Sequence, residues 1–214
     1  MRTNCLTLFA GVLCALTLSI FPARAAAADL IKNGSLDTNM ANWTWELVSG
    51  SGCDYYWYAG QIEMAGDSPV PSKCGVYQDV ALPAGTTNSL TVRTGTVDGT
   101  AGAAGFGQLE IRNPATNAVL QILYTHDGAI VAHDPVATRG PFDLSAYAGQ
   151  TVRVYFWGSQ GGGGNLYTQR IDDVVLLSTP VAAVPTLTEW AMILFGLSLA
   201  GGAALAIQRR RLAV

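Results

Sequence analysis

Through most of the middle of the chain, apolar and polar positions alternate with a period of two, the spacing that puts successive side chains on opposite faces of a strand. Trp43, Trp45 and Leu47 alternate with Thr44 and Glu46, and Leu90 and Val92 sit inside Ser89–Thr94. In Gly107–Arg112, Leu109 and Ile111 face one way and Gln108, Glu110 and Arg112 the other. The clearest stretch is Thr151–Trp157, which sends Val152, Val154 and Phe156 to one side and Arg153, Tyr155 and Trp157 to the other. Gly75–Val80, Ala118–Thr125 and Arg170–Leu177 read as further strands, and turn formers such as Asn33-Gly34, Pro83-Ala84-Gly85 and Asn113-Pro114 punctuate them. Residues 50–71, rich in Gly, Ser, Asp and Pro, read as a long loop carrying Tyr55, Tyr56, Trp57 and Tyr58. About eight short strands with no amphipathic helix between them predict an all-β fold, an antiparallel β-sandwich (jelly roll) or barrel. Without crossover helices a parallel sheet is excluded.

The alternation stops at both ends. Arg2, an apolar stretch from Cys5 to Phe21 and then Ala23-Arg24-Ala25 form the charged, apolar and small-residue regions of a secretory signal, so residues 1–25 read as a signal helix cut after Ala25. At the other end, Trp190 to Ile207 is eighteen residues without a charge. As a helix at about 1.5 Å per residue it spans roughly 27 Å, near the thickness of a bilayer's hydrocarbon core. Arg209-Arg210-Arg211 follow it directly and hold that end on the cytoplasmic side. The expected plan is a sandwich over 26–179, a linker and motif over 180–189, a transmembrane helix over 190–208 and a basic cytoplasmic tail over 209–214. The body is thereby exported to the cell envelope or surface.

Charge and cysteine content narrow the chemistry of the exported part. From Ala26 to Val184 there are seven bases against fourteen acids, a net charge near −7 where the whole chain carries −3. Such a surface repels nucleic acid, which excludes a DNA or RNA partner, and leaves divalent cations and neutral sugars compatible. Cys5 and Cys14 leave with the signal, so Cys53 and Cys74 remain, an even pair in an oxidising compartment that predicts a disulfide across the aromatic loop.

Two stretches resemble known families. Val184-Pro185-Thr186-Leu187-Thr188-Glu189-Trp190, followed by one apolar helix and an arginine cluster, resembles the IPTL-CTERM sorting signal of Gram-negative bacteria. That resemblance implies an exosortase, a membrane-embedded cysteine transpeptidase, as partner, with Val184, Pro185, Thr186, Leu187, Glu189 and Trp190 as the motif. Val184 stands where isoleucine is usual. Pro185 lacks an amide hydrogen and favours an extended chain outside the membrane, where a protease can thread it. The other reading of the tail is a plain anchor that is never cut.

In the body, Asn33-Gly34-Ser35-Leu36-Asp37, Tyr77-Gln78-Asp79-Val80 with Leu82-Pro83-Ala84-Gly85, Phe142 to Val154, and Ile171-Asp172-Asp173-Val174 come in the order of the landmarks of galactose-binding-like jelly rolls, the fold of many carbohydrate-binding modules. The resemblance implies a structural calcium held by Asp37, Asp172 and Asp173, the alternative being that these carboxylates face solvent or pair with Arg170. No other cofactor is required. For a glycan, the candidate contacts are Arg153, Tyr155 and Trp157 on the outward face of their strand, rimmed by Tyr56 and Trp57, because sugar rings stack their C–H faces on aromatic side chains. Against this stands a face covered by loops or a second apolar layer. Catalysis has little support: His126 and His133 are the only histidines and sit in turn-like contexts, and no nucleophile elbow, zinc-helix motif or phosphate loop occurs. The rival reading is a glycan-active hydrolase using a carboxylate pair such as Glu63 and Glu110, and a purely structural surface protein is a third.

Overall fold

The computed structural model describes residues 26–66, 70–99, 105–127, 134–160, 167–181 and 187–212. The signal segment over 1–25 and the motif residues Val184, Pro185 and Thr186 lie outside the described residues.

Residues 26–181 fold as two antiparallel sheets around one core. The six-stranded sheet has the order β3 (Cys53–Tyr58), β4 (Gln61–Gly66), β11 (Tyr167–Pro180), β6 (Thr86–Gly99), β9 (Ala137–Asp143), with the two-residue β1 (Ala28–Asp29) paired to the far end of β11. The five-stranded sheet runs β2 (Thr44–Ser49), β5 (Ser72–Ala81), β10 (Thr151–Gln160), β7 (Phe106–Arg112), β8 (Val119–Asp127). Leu90, Val92, Ile171 and Leu176 from one sheet and Val76, Leu109, Ile111, Val152, Val154 and Phe156 from the other fill the space between them, all almost fully buried. Leu90, Val92, Leu109, Ile111, Val152, Val154 and Phe156 are residues that the period-two alternation points inward, while Ile171 and Leu176, an odd number of positions apart, both reach the core across the register shift in β11.

Two elements differ from the sequence reading. Residues 50–71 are largely a hairpin, β3 turning into β4 through Ala59 and Gly60, both at positive φ. Its strands hide their period because both faces are aromatic: Tyr55 and Trp57 sit opposite the buried Met64 and Ile62, and Tyr56 sits opposite Glu63. The other is β9, a strand that the sequence reading did not mark and that contains Gly140-Pro141. It is an edge strand, and its register on β6 slips between Leu90 and Val92, where proline's missing donor costs no regular pairing.

The landmark segments hold the sandwich shut. Gly34 lies against the irregularity in β11 between Asp172 and Val175: Val174 N–H donates to Gly34 O at 2.9 Å, and a Cβ on Gly34 would come within 1.9 Å of Val174 O. Gln78, buried beneath the N-terminal segment, accepts from Lys32 N–H at 2.8 Å and donates to the carbonyls of Lys32 and Asn42 at 3.0 and 3.3 Å. One amide side chain thus fixes the path of residues 32–42.

Cys53 and Cys74 are joined, with Cα atoms 6.0 Å apart, and the bond links β3 of one sheet to β5 of the other. It closes a segment with a sequence separation of 21, for which chain entropy gives about 3 kcal/mol of stabilisation. Chemical unfolding of the Cys53→Ala/Cys74→Ala double variant should show a loss of that size; a loss under about 1 kcal/mol would mean that core packing alone holds the hairpin.

Residues 182–214 form a separate unit. Its helix, α1 (Leu187–Leu212), starts three residues before the expected Trp190, so Leu187, Glu189 and Trp190 of the motif are helical. Trp190–Arg211 is long and apolar enough to cross a membrane, and none of it is covered by protein. Met192, Leu194, Phe195 and Leu197 are all exposed.

Candidate functional site

On β10 the expected alternation sends Val152, Val154 and Phe156 to the core and Arg153, Tyr155 and Trp157 to the outer face of the five-stranded sheet. Strand register surrounds the second set. Tyr155 lies between Tyr77 of β5 and Glu110 of β7, Trp157 between Gly75 and Gln108, and Arg153 between Asp79 and Arg112. Gly75 leaves the room Tyr155 needs, since a Cβ there would stand 2.4 Å from the tyrosine oxygen.

These outward aromatics are nonetheless covered. Tyr155 is fully buried and Trp157 is 8% exposed. Among the described residues the cover is charged rather than apolar. The Tyr155 hydroxyl donates to Glu46 Oε1, and the Arg112 guanidinium lies 3.8 Å from the Tyr155 ring centre. Glu110 accepts from Arg112 Nε at 2.6 Å and from Trp157 Nε1 at 2.8 Å. Lys73 Nζ sits 3.4 Å over the Trp157 ring, and Phe106 packs beside it at 5.3 Å. Burial and the Glu46 carboxylate push the Tyr155 phenol far above its ordinary pKa, so it stays a proton donor at any physiological pH. Burial, reinforced by the like charge of Arg112, lowers that of Lys73. Two acids and two cations therefore neutralise one another over two aromatic rings, which cannot serve as open platforms. Arg153 is committed as well: its Nε and Nη2 donate to the two oxygens of Asp79 at 2.7 and 3.0 Å, and its plane stacks on Tyr77 at 3.7 Å.

The expected rim lies elsewhere. Tyr56 and Trp57, 42% and 39% exposed, belong to β3 in the other sheet, and Trp57 Nε1 is tied to Leu36 O at 2.6 Å. They do not border the face of Arg153, Tyr155 and Trp157. Glu63 and Glu110 are likewise separated. Glu63 faces outward from the six-stranded sheet, where Gln61 Nε2 and Arg170 Nε donate to it at 3.0 and 2.5 Å, while Glu110 faces outward from the five-stranded sheet. A carboxylate pair built from them has no common substrate.

The three aspartates expected around a calcium do not gather. Asp172 pairs with Arg93 at 3.1 Å, burial raises its carboxyl above the ordinary range, and Asp37 and Asp173 are exposed. No group of three or more His, Cys, Asp or Glu able to hold a metal occurs among the described residues. His126 is buried on β8, and His133 lies outside the described residues.

Sequence reasoning missed Glu46, Lys73 and Arg112, the residues that close this face. Each comes from a different strand, and the register that joins them is not visible along the chain.

Similar solved structures include the carbohydrate-binding module TmCBM61 in complex with β-1,4-galactotriose, 13% identical, covering 70% of this chain and 97% of that one at a TM-score of 0.44. A CBM4 structure is 15% identical over 70% of this chain and 99% of that one, with a TM-score of 0.43. The enzymatically active domain of tailspike protein 4 from bacteriophage CBA120 is 10% identical, covering 69% of this chain and 21% of that one, with a TM-score of 0.42. Among curated proteins there is no match. The tail is the part with a family signature: residues 182–211 match the IPTL-CTERM motif.

Proposed function

We propose that this is an exported cell-envelope protein whose tail is recognised and cut by an exosortase-like transpeptidase, and whose sandwich, of the jelly-roll kind, binds carbohydrate. The observation that carries the reading is the tail, in which the matched motif runs into a bare apolar helix, Trp190–Arg211, closed by three arginines. A helix with no apolar surface covered by protein is stable in lipid, and the arginines keep its end in the cytoplasm while the motif faces the other side. The carbohydrate part rests on the body: an acidic surface compatible with neutral sugars, and the jelly-roll landmarks, which fasten the N-terminal segment to β11 and β5. The hydrolase reading loses its acid pair, because Glu63 and Glu110 occupy opposite outer faces.

Intact mass of the envelope-associated or released protein tests the tail. In cells with the cognate exosortase the mature form should lack Arg209 to Arg211. Pro185→Ala should leave insertion unchanged, since the apolar run is untouched, yet accumulate the uncut form several-fold. A mature species that keeps the arginines in those cells would leave only the plain anchor.

A further inference from the structure

The closed face around Tyr155 and Trp157 leaves open where a ligand would sit, and one cleft beside it has the required chemistry. β2 joins β5 only as far as Thr44 opposite Tyr77, so the last part of β5 runs on without a strand on that side. The chain from Leu30 to Asn42 passes nearby, held off by the three hydrogen bonds of Gln78. Between them is a cleft of ≈ 520 Å³ whose walls include Lys32, Asn42, Thr44, Tyr77, Asp79 and Ala81. That volume lies in the range of small-molecule sites, roughly 300–1,000 Å³.

Three features make it a receptor rather than a gap. First, main-chain groups point into it. Leu82 exchanges hydrogen bonds with Gln150 and Gly149, at 2.8 and 2.9 Å, on the β10 side. By the alternation of a strand, Val80 and Gln78 direct their main chain the same way, and Asp79 and Ala81 direct theirs away from β10. No strand pairs with them there among the described residues. Second, Tyr77 enters the cleft preorganised: Arg153 stacks on it at 3.7 Å and Tyr155 lies 6.0 Å away, so the sealed network becomes the foundation of an aromatic wall. Third, the side-chain walls mix donors and acceptors. Lys32 is exposed and takes no part in the ion pairs of the described residues, Asn42 and Thr44 are exposed amide and hydroxyl groups, and Asp79 is an exposed carboxylate.

From this geometry we infer that the cleft at Tyr77 is a binding site for a neutral saccharide. It rests on the carbohydrate reading above and gives that reading a place and a ligand class. An ammonium at Lys32, a carboxylate at Asp79 and open main-chain N–H and C=O groups suit ligands whose every polar group both donates and accepts, as hydroxyls do. The Tyr77 ring offers the apolar contact that a pyranose C–H face needs. Asp79 is neutralised by Arg153, and an acidic sugar is disfavoured by the field of the exported body, whose net charge is near −7.

The test is an array of neutral gluco-, galacto-, manno- and xylo-oligosaccharides with uronate oligosaccharides beside them, probed with the full-length protein in detergent. Wild type should bind a neutral oligosaccharide. Tyr77→Leu should weaken that binding about tenfold or more, and Lys32→Gln, at an exposed position that leaves folding untouched, about three- to tenfold. A Tyr56→Ala/Tyr58→Ala variant, altered on the other sheet, should bind as wild type does, and thermal unfolding confirms that each variant is folded. Binding that survives both cleft variants, or that disappears in the Tyr56/Tyr58 variant, overturns this site while the carbohydrate reading stands. Preference for uronates overturns the neutral class. No binding by folded wild type to any array member removes the carbohydrate reading and the site together.

Discussion

Replacing Glu110 with alanine is expected to destabilise the sandwich by about 3–5 kcal/mol, the range for removing one partner of a buried, hydrogen-bonded ion pair. Glu110 is 3% exposed, and its two oxygens accept from Arg112 Nε and Trp157 Nε1. Its loss leaves a guanidinium with little access to water and an indole N–H without an acceptor. Lys73, already held below its ordinary pKa by burial and by Arg112, loses the larger of the two carboxylate attractions acting on it, leaving only Glu46 to offset Arg112. Glu110→Gln keeps an acceptor for one donor and should cost about half as much. For a body of this size the alanine variant corresponds to a fall in Tm of roughly 10–15 °C. Urea unfolding is the check: a loss under 1 kcal/mol would show that the charged cover over Tyr155 and Trp157 is not structural, and the account of that face as sealed would fall with it.

Gly34→Ala is expected to have a similar effect for a different reason. The added Cβ would stand 1.9 Å from Val174 O and 2.9 Å from Ile31 Cγ2, and the closer atom belongs to the main chain. Val174 cannot withdraw without breaking its hydrogen bond to Gly34 O, and with it the seam between the N-terminal segment and β11. Overpacking costs about 1–3 kcal/mol, and contact with main chain rather than a flexible side chain puts this case at the upper end. Gly85→Ala is the matched control. Gly85 has φ +69 and open space around its Cβ direction, so alanine there meets only the left-handed conformational penalty, about 1–2 kcal/mol. Equal losses at the two positions would mean that the Gly34 contact relaxes and that close packing against Val174 is not what the glycine provides.

How far the fold is legible along the chain follows from what each signal reports. Alternation reports which face of a strand avoids water, and the inward residues of β6, β7 and β10 agree with it. It fails at β3 because an aromatic side chain suits either face, so Tyr55, Tyr56, Trp57 and Tyr58 show no period. It fails at β9 because glycine and proline, which interrupt a central strand, are tolerated at an edge. The site was less legible than the fold. Alternation correctly turned Arg153, Tyr155 and Trp157 outward, but an outward residue is exposed only if its lateral neighbours are short, and those neighbours are set by strand order.

What the sequence alone determined is therefore local or compositional: an apolar tail that is capped by arginines and carries the IPTL-CTERM motif, and a body of alternating strands with one cysteine pair. Each depends on residues close together or on their sum. The tertiary structure decided which strands lie beside β10, and so that Glu46, Lys73, Glu110 and Arg112 meet over Tyr155 and Trp157 while Tyr56 and Trp57 go to the other sheet. It also decided that β2 stops at Thr44 and leaves the end of β5 open beside Lys32 and Asn42. Those outcomes depend on register between segments up to about a hundred residues apart, where a shift of one residue would exchange the faces and no neighbouring residue records the choice.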